Sequence, residues 1–222
     1  MRRQRPRTRL VLAVSLDGRL APPQGGAAQI GGRGDRRMLE EALAWADAAL
    51  LGAETLRRHG TTCLIHGADL LAARAAAGRS PQPLALVASR SGWIPAELPF
   101  FRQPLERWLL APPVSAAQAA ELGFQRGVEL SGWPQALQDL AAQGIARLVV
   151  LGGAAIAGAL LAEGLLDELQ LTVCPRLLGG PHTWLPPGVA LEVSHWQLLE
   201  QRSLEGDELL LRYGAVASGA AG

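Results

Sequence analysis

Two consecutive glycines, Gly152-Gly153, stand between the apolar run Arg147 to Leu151 and the small-residue stretch Ala154 to Glu163. Backbone N–H groups at a helix N-terminus attract an anion, and residues without a Cβ let a phosphate come closest to them. Ala154, Ala155 and Ala157 leave the first helical turn uncluttered, as a diphosphate lying across it would need. The same pattern also fits a purely structural turn, and it is not the Gly-x-Gly-x-x-Gly fingerprint, because the next glycine is Gly158. A second candidate is Ser15 with Asp17 and Gly18, directly after the apolar run Leu10 to Val14. Strand ends facing a sheet crevice are where open α/β folds place ligands. Asp17 there either positions or protonates a substrate, or Asp17-Gly18 is only a turn.

Other chemistries are excluded by what is missing. All 21 basic residues are arginine, and neither lysine nor asparagine occurs, which removes Schiff-base catalysis and lysine-dependent phosphate loops. Cys63 and Cys174 form no Cys-x-x-Cys pair, and His59, His66, His182 and His195 show no metal spacing, so no metal is expected. The formal charge of +1 hides a basic arm: Arg2, Arg3, Arg5, Arg7 and Arg9 precede a mildly acidic body. That is not the broad basic face nucleic-acid binding requires. Apolar runs are too short for a membrane span or a signal-peptide core, and a cytoplasmic protein with reduced cysteines is expected.

Positioning these residues falls to alternating elements. Short apolar runs read as buried strands at Leu10 to Val14, Ala48 to Gly52, Pro83 to Ala88, Arg107 to Leu110, Arg126 to Leu130 and Arg147 to Leu151. Helices are expected over Met38 to Ala46 with Asp35 as N-cap, Ser115 to Leu122, Trp133 to Ala142, and Ala154 to Glu163 with Gly164 closing it. The Ala-, Pro- and Gly-rich stretch from Ala21 to Gly34 reads as loop, as does the segment carrying His59 and His66. Longer strands follow at Glu168 to Val173, His195 to Ser203 and Glu208 to Tyr213, with Gly206-Asp207 as a hairpin turn. The expectation is an α/β protein: a central mixed, mostly parallel sheet flanked by helices, with antiparallel C-terminal strands. Residues 1–8 would be a flexible basic arm, 9–213 one domain, and 214–222 a disordered tail.

Several motifs fall in a recognisable order: Ala13-x-Ser15-x-Asp17-Gly18, Asp47-Ala48 with Gly52-Ala53-Glu54-Thr55, then Gly152-Gly153, Gly164 to Leu169 and Cys174 to Gly180. Together they resemble the RibD-type C-terminal reductase domain of riboflavin biosynthesis, in the dihydrofolate-reductase-like superfamily, over roughly residues 8 to 213. The resemblance implies an NADPH-dependent reductase that opens a ribosyl ring to a ribityl chain on an aminopyrimidine phosphate, acting as a homodimer. It places Ala13, Thr55, Ser89 and the turn Gly152, Gly153, Ala154, Ala155 and Ile156 at the cofactor. Ser15 and Asp17 would line the reaction cleft as catalytic residues, with Ser15, Gln29, His59, Cys63 and Leu151 toward a small heterocyclic substrate. Arg90, beside Ser89, is a candidate for a 2′-phosphate. The family's fused deaminase is absent from this sequence, which lacks its zinc signature.

The departures lie on the substrate side. Val11 stands where the family has a lysine, Leu151 where it has a glutamate, and Leu43 where it has an arginine; His59-Gly60-Thr61-Thr62 replaces an Asp-x-Pro pattern. Either Arg33, Arg36, Arg57, Arg58, His59 and His66 supply the missing contacts, or the substrate differs. The alternatives are a reductase of a dihydropterin-like heterocycle on the same fold and a nucleotide-binding descendant without turnover.

Overall fold

Apolar residues at nearly every position from Leu10 to Val14 suit a strand covered on both faces, and the computed structural model extends that strand, β1, over Arg7–Ser15. The structure describes residues 4–26, 30–113 and 115–216. The chain separates into two compact units, one containing Glu40–Gly153 with the residues up to Arg7, the other Thr8–Leu39 with the chain from Ala154 on.

In the first unit, β2 (Ala48–Gly52), β3 (Leu84–Ala88), β4 (Arg107–Ala111), β5 (Arg126–Glu129) and β6 (Arg147–Val150) lie in the order β5-β4-β3-β2-β6. All their pairings are parallel. Helix α1 (Arg33–Trp45) enters this unit from the other, and α2 (Ala53–His59), α3 (Ala68–Ala76), a 3-10 turn (Pro99–Arg102), α4 (Ala116–Glu121) and α5 (Trp133–Ala142) follow. Leu51, Leu56, Val87, Phe100, Leu109 and Phe124 are buried together in the core. Ser115 caps α4, accepting from Gln118 N–H at 3.2 Å while Gln118 Oε1 accepts from Ser115 N–H at 2.8 Å.

Buried Arg74 closes the C-terminal end of α1. Its Nη1 donates to the carbonyls of Leu43, Ala44 and Ala46 at 3.2, 3.1 and 2.7 Å, and its Nε to Ser80 O at 2.7 Å. Helix-end carbonyls without intrahelical partners carry partial negative charge, so a guanidinium is well matched to them. Glu40, also buried, accepts from His66 and Gly67 N–H at 2.9 and 2.8 Å and fixes the segment leading into α3.

In the second unit, β1 pairs in parallel with β7 (Glu168–Cys174), and β9 (Leu209–Ala215) joins β7 and β8 (Trp196–Ser203) in antiparallel pairing, giving the order β1-β7-β9-β8. Helix α6 (Ala154–Ala162) belongs here, with Gly164 at φ 62° after its end. The expected mixed, mostly parallel α/β arrangement with antiparallel C-terminal strands is what the chain forms. No helix among the described residues is long and apolar enough to cross a membrane.

Several expectations change. Asp35 is not the N-cap of α1; the helix begins at Arg33, and the N–H groups of Gly32 and Asp35 donate instead to the carboxylate of Glu208, the latter at 2.9 Å. His59 lies in the last turn of α2 rather than in a loop, and α3 was not anticipated, because its alanine-rich sequence shows little amphipathic contrast. Arg7 and Thr8 belong to β1, and Arg9 is buried in an ion pair with Glu168 at 2.7 Å, so the strand claims the end of the supposed arm. Gly214 and Ala215 likewise lie in β9, while 217–222 fall outside the described residues.

Candidate functional site

In the first unit the C-terminal ends of adjacent parallel strands β3, β2 and β6 carry Ser89, Gly52 and Leu151-Gly152-Gly153. The register Ala48↔Leu148 to Leu50↔Val150 brings the β2 and β6 ends level, and Gly52 N–H donates to Gly152 O at 3.2 Å. Gly52 leads straight into α2, so Thr55 sits in its first turn. An ideal Cβ on Gly153 would lie 3.0 Å from Thr55 Oγ1, a distance at which one of the two must move. Gly153 is therefore bare on the side where Thr55 presents its hydroxyl. Gly152 has φ 93°, which L side chains rarely adopt, and its peptide to Gly153 is cis.

The remaining turn residues, Ala154, Ala155 and Ile156, open α6. Ala155 is exposed, and Ile156 is buried with its side chain committed to packing. Ser89 is buried, its N–H donating to Leu110 O at 2.8 Å, and Arg90 beside it is exposed.

In the second unit, Ser15 and Asp17 follow β1 as one hydrogen-bonded group. The Ser15 hydroxyl donates to Asp17 Oδ1 at 2.6 Å, and the N–H groups of Leu178 and Gly179 donate to Asp17 at 3.1 and 2.8 Å. Leu16 N–H to Arg176 O and Leu20 N–H to His182 O, both at 2.8 Å, tie the same two loops together. These hydrogen bonds, from Ser15 first and then from Leu178 and Gly179, hold the Asp17 carboxyl down to about 2. An acid so readily ionised does not carry a proton at neutral pH. Of the two roles open to Asp17, the geometry favours positioning.

The substrate-side residues fare unequally. Gln29 lies outside the described residues. His59, Cys63 and His66 are exposed in the first unit, and Leu151 packs against that unit's apolar core, so its side chain is a packing group and brings no polar contact. Val11 and Leu43, where the resemblance leads one to look for charges, are buried. Arg57 and Arg58 both pair with Glu54 at 2.9 Å, and Arg57 also donates to Trp93 O at 3.0 Å. Arg33 is exposed, 3.9 Å from Glu205, and Arg36 is exposed.

One polar group escaped the sequence reading. Glu208 accepts from the N–H groups of Gly32 and Asp35 and from the Cys174 thiol, the last at 3.7 Å. Burial, followed by the charges of Glu208 and Asp35, pushes the Cys174 thiol up to about 12. Gly31, Gly32 and Gly34 make room for this group: a Cβ on Gly31 would meet Asp35 Oδ2 at 2.0 Å, one on Gly32 would meet Glu208 Oε1 at 3.1 Å, and one on Gly34 would meet Leu204 Cβ at 2.7 Å. Three closely spaced glycines directly before an aspartate were the available signal.

Comparisons with known proteins give the chain's family and fold. The family model described as the RibD C-terminal domain matches residues 6–210. The chain is 25% identical over 186 residues to the 2,5-diamino-6-ribosylamino-4(3H)-pyrimidinone 5′-phosphate reductase of Archaeoglobus fulgidus, covering 79% of this chain and 83% of that protein. It is 28% identical over 185 residues to the reductase of the same name from Methanothermobacter thermautotrophicus, covering 79% and 81%. Acinetobacter baumannii RibD superposes with a TM-score of 0.79 at 25% identity, over 96% of this chain and 59% of that one. A dihydrofolate reductase from Enterococcus faecalis superposes at 13% identity with a TM-score of 0.56, covering 94% and 96%, so the expected dihydrofolate-reductase-like fold is present.

Proposed function

The chain belongs to the RibD C-terminal domain family, and from that premise we propose that it is an NADPH-dependent reductase of a ribosylamino-pyrimidine phosphate, converting the ribosyl to a ribityl chain. Its homologues are pyrimidine reductases of the riboflavin pathway. The observation that carries the reading is the bare Gly153 beside Thr55 at level ends of adjacent parallel strands, a cradle that a Cβ would fill.

That cradle fits a dinucleotide. Gly152 and Gly153 would receive its phosphates, and Thr55 and Ser89 would offer hydroxyls. When bound, the nicotinamide supplies a hydride. The chain's own residues bind, orient and exclude water, and no covalent nucleophile is required. Asp17, ionised, fixes the loop after β1 to the loop after β7. The functional form in this proposal is a homodimer.

The uncharged, buried side chains of Val11 and Leu43 favour a second reading, in which the same cofactor chemistry serves a heterocycle without the family's usual charge contacts, such as a dihydropterin. Titrating the protein with NADPH and, separately, NADH, following quenching of its six tryptophans and the melting temperature, tests the cofactor reading. Ligand at about 100 times its Kd stabilises the fold by about 2.7 kcal/mol. Selective NADPH binding is expected, and failure of both nucleotides to bind overturns the proposal. Oxidation of NADPH with the ribosylamino-pyrimidine phosphate, compared with a dihydropterin, separates the two readings.

A further inference from the structure

Beyond β3 the chain of the first unit forms a short loop that is anchored at both ends. Ser89 and Ile94 are buried, Ile94 in the same apolar core as Leu56 of α2, while Arg90, Ser91 and Trp93 between them are exposed. A single exposed indole is ordinary on a protein surface, but this one is held in place. Arg57 of α2 sets its guanidinium carbon 5.4 Å from the centre of the Trp93 ring and donates through Nη1 to Trp93 O at 3.0 Å. Glu54 in turn fixes Arg57, accepting from its Nη2 and Nε at 2.9 and 3.3 Å, and Trp93 N–H donates to Ser91 Oγ at 3.3 Å. The guanidinium lies over one face of the ring, and with 61% of Trp93 exposed the other face is open to a ligand.

We propose that Trp93, backed by Arg57, is the residue on which the purine base of the dinucleotide stacks. This rests on the reductase reading above and adds to it the group that recognises the base. Strands β3, β2 and β6 are neighbours in that order, and they end at Ser89, Gly52 and the Gly152-Gly153 turn. Neighbouring strands lie about 4.8 Å apart, so the loop after β3 starts about 10 Å from the glycines. That is a span one nucleoside covers between its 5′-phosphate and its base. Arg90 precedes Trp93 in the same loop, and a stretch of chain that short reaches at most about 11 Å, so a cation and an aromatic ring stand within reach of one nucleotide.

The chemistry of the pair suits a base better than an anion. Arg57 and Arg58 both spend their charge on Glu54, so the ring is supported by a neutralised cation and not by a free one. An indole offers a purine a flat apolar face of matching size, and the attraction needs no particular hydrogen-bond pattern. Because Trp93 is fixed before the ligand arrives, little side-chain freedom is lost on binding. Stacking between two uncharged rings also survives added salt, whereas an exposed arginine's attraction for a phosphate is screened.

The test compares the parent protein with Trp93→Ala and Trp93→Phe by calorimetric titration with NADPH and with adenosine 2′,5′-bisphosphate, which carries the purine but no nicotinamide. Trp93→Ala should raise Kd for both ligands by a similar factor, about 5- to 150-fold, and that factor should persist at high salt. Trp93→Phe keeps an aromatic face, so its affinities should stay close to the parent's, yet it should lose the tryptophan quenching that the bisphosphate causes in the parent. The exposed position means that both variants fold, which the melting temperature without ligand checks. Parental affinity for NADPH in Trp93→Ala overturns the proposal. So does a Trp93→Phe protein as weak as Trp93→Ala, and so does a parent that binds NADPH but shows no quenching by the bisphosphate. Failure of the parent protein itself to bind NADPH would instead overturn the reductase reading on which the proposal stands.

Discussion

Gly153→Ala isolates the contact on which the cofactor site rests. Its backbone is not in the left-handed region, so alanine meets no left-handed penalty there, and the new methyl would lie 3.0 Å from Thr55 Oγ1. A carbon–oxygen approach that short requires a displacement of a few tenths of an ångström in either the β6 turn or the first turn of α2. Overpacking of this kind costs about 1–3 kcal/mol. In a chain of 222 residues it corresponds to a melting temperature lower by about 2–12 °C. The contact is pairwise, so Thr55→Ala should remove most of the penalty, and the double-mutant cycle should show a coupling of about 0.5–3 kcal/mol. Thermal unfolding followed by circular dichroism on the four proteins measures it. NADPH affinity behaves differently: the double variant regains stability but not binding, since the methyl still occupies the cradle and the Thr55 hydroxyl is gone. Strictly additive melting shifts would refute the packing argument, and full recovery of NADPH binding in the double variant would refute the placement of the nucleotide there.

Asp17 predicts an acid limb of stability. Its folded value of about 2 lies below the ordinary 3.8, so its contribution is fully present above about pH 4 and is lost as pH falls toward 2. Asp17→Asn should lack that component of the acid-unfolding curve while leaving the neutral-to-alkaline range unchanged, and its kcat/KM should fall as the clamp on Leu178 and Gly179 loosens. Arg74→Met should lower the melting temperature without altering NADPH affinity, because it strips the carbonyls of Leu43, Ala44, Ala46 and Ser80 of a buried donor. Each unsatisfied group costs about 1–3 kcal/mol when solvent cannot reach it.

What could be read in the chain and what could not follow from one physical distinction. Strands such as Leu84–Ala88 and Leu50 to Gly52 are apolar because both faces are covered, and that property is written locally, as are the Ser115 cap and the turn after β6. Helix α3 carries its reason elsewhere: Glu40 fixes the N–H groups of His66 and Gly67, and Arg74 on the helix reaches the end of α1. The N-terminus of α1 makes the same point more sharply. Asp35 satisfies the local rule for a cap, yet Glu208, far along the chain, takes the N–H groups of Gly32 and Asp35. Gly31, Gly32 and Gly34 look like loop punctuation until their missing Cβ atoms are compared with the positions of Asp35, Glu208 and Leu204. Glycines spent on making room for carboxylates, rather than on turning the chain, mark a place where the fold accepts a cost in order to keep polar groups buried. The Asp17 carboxylate, by contrast, is held by Ser15, Leu178 and Gly179 of the two loops it joins, partners that no local pattern around Asp17-Gly18 announces.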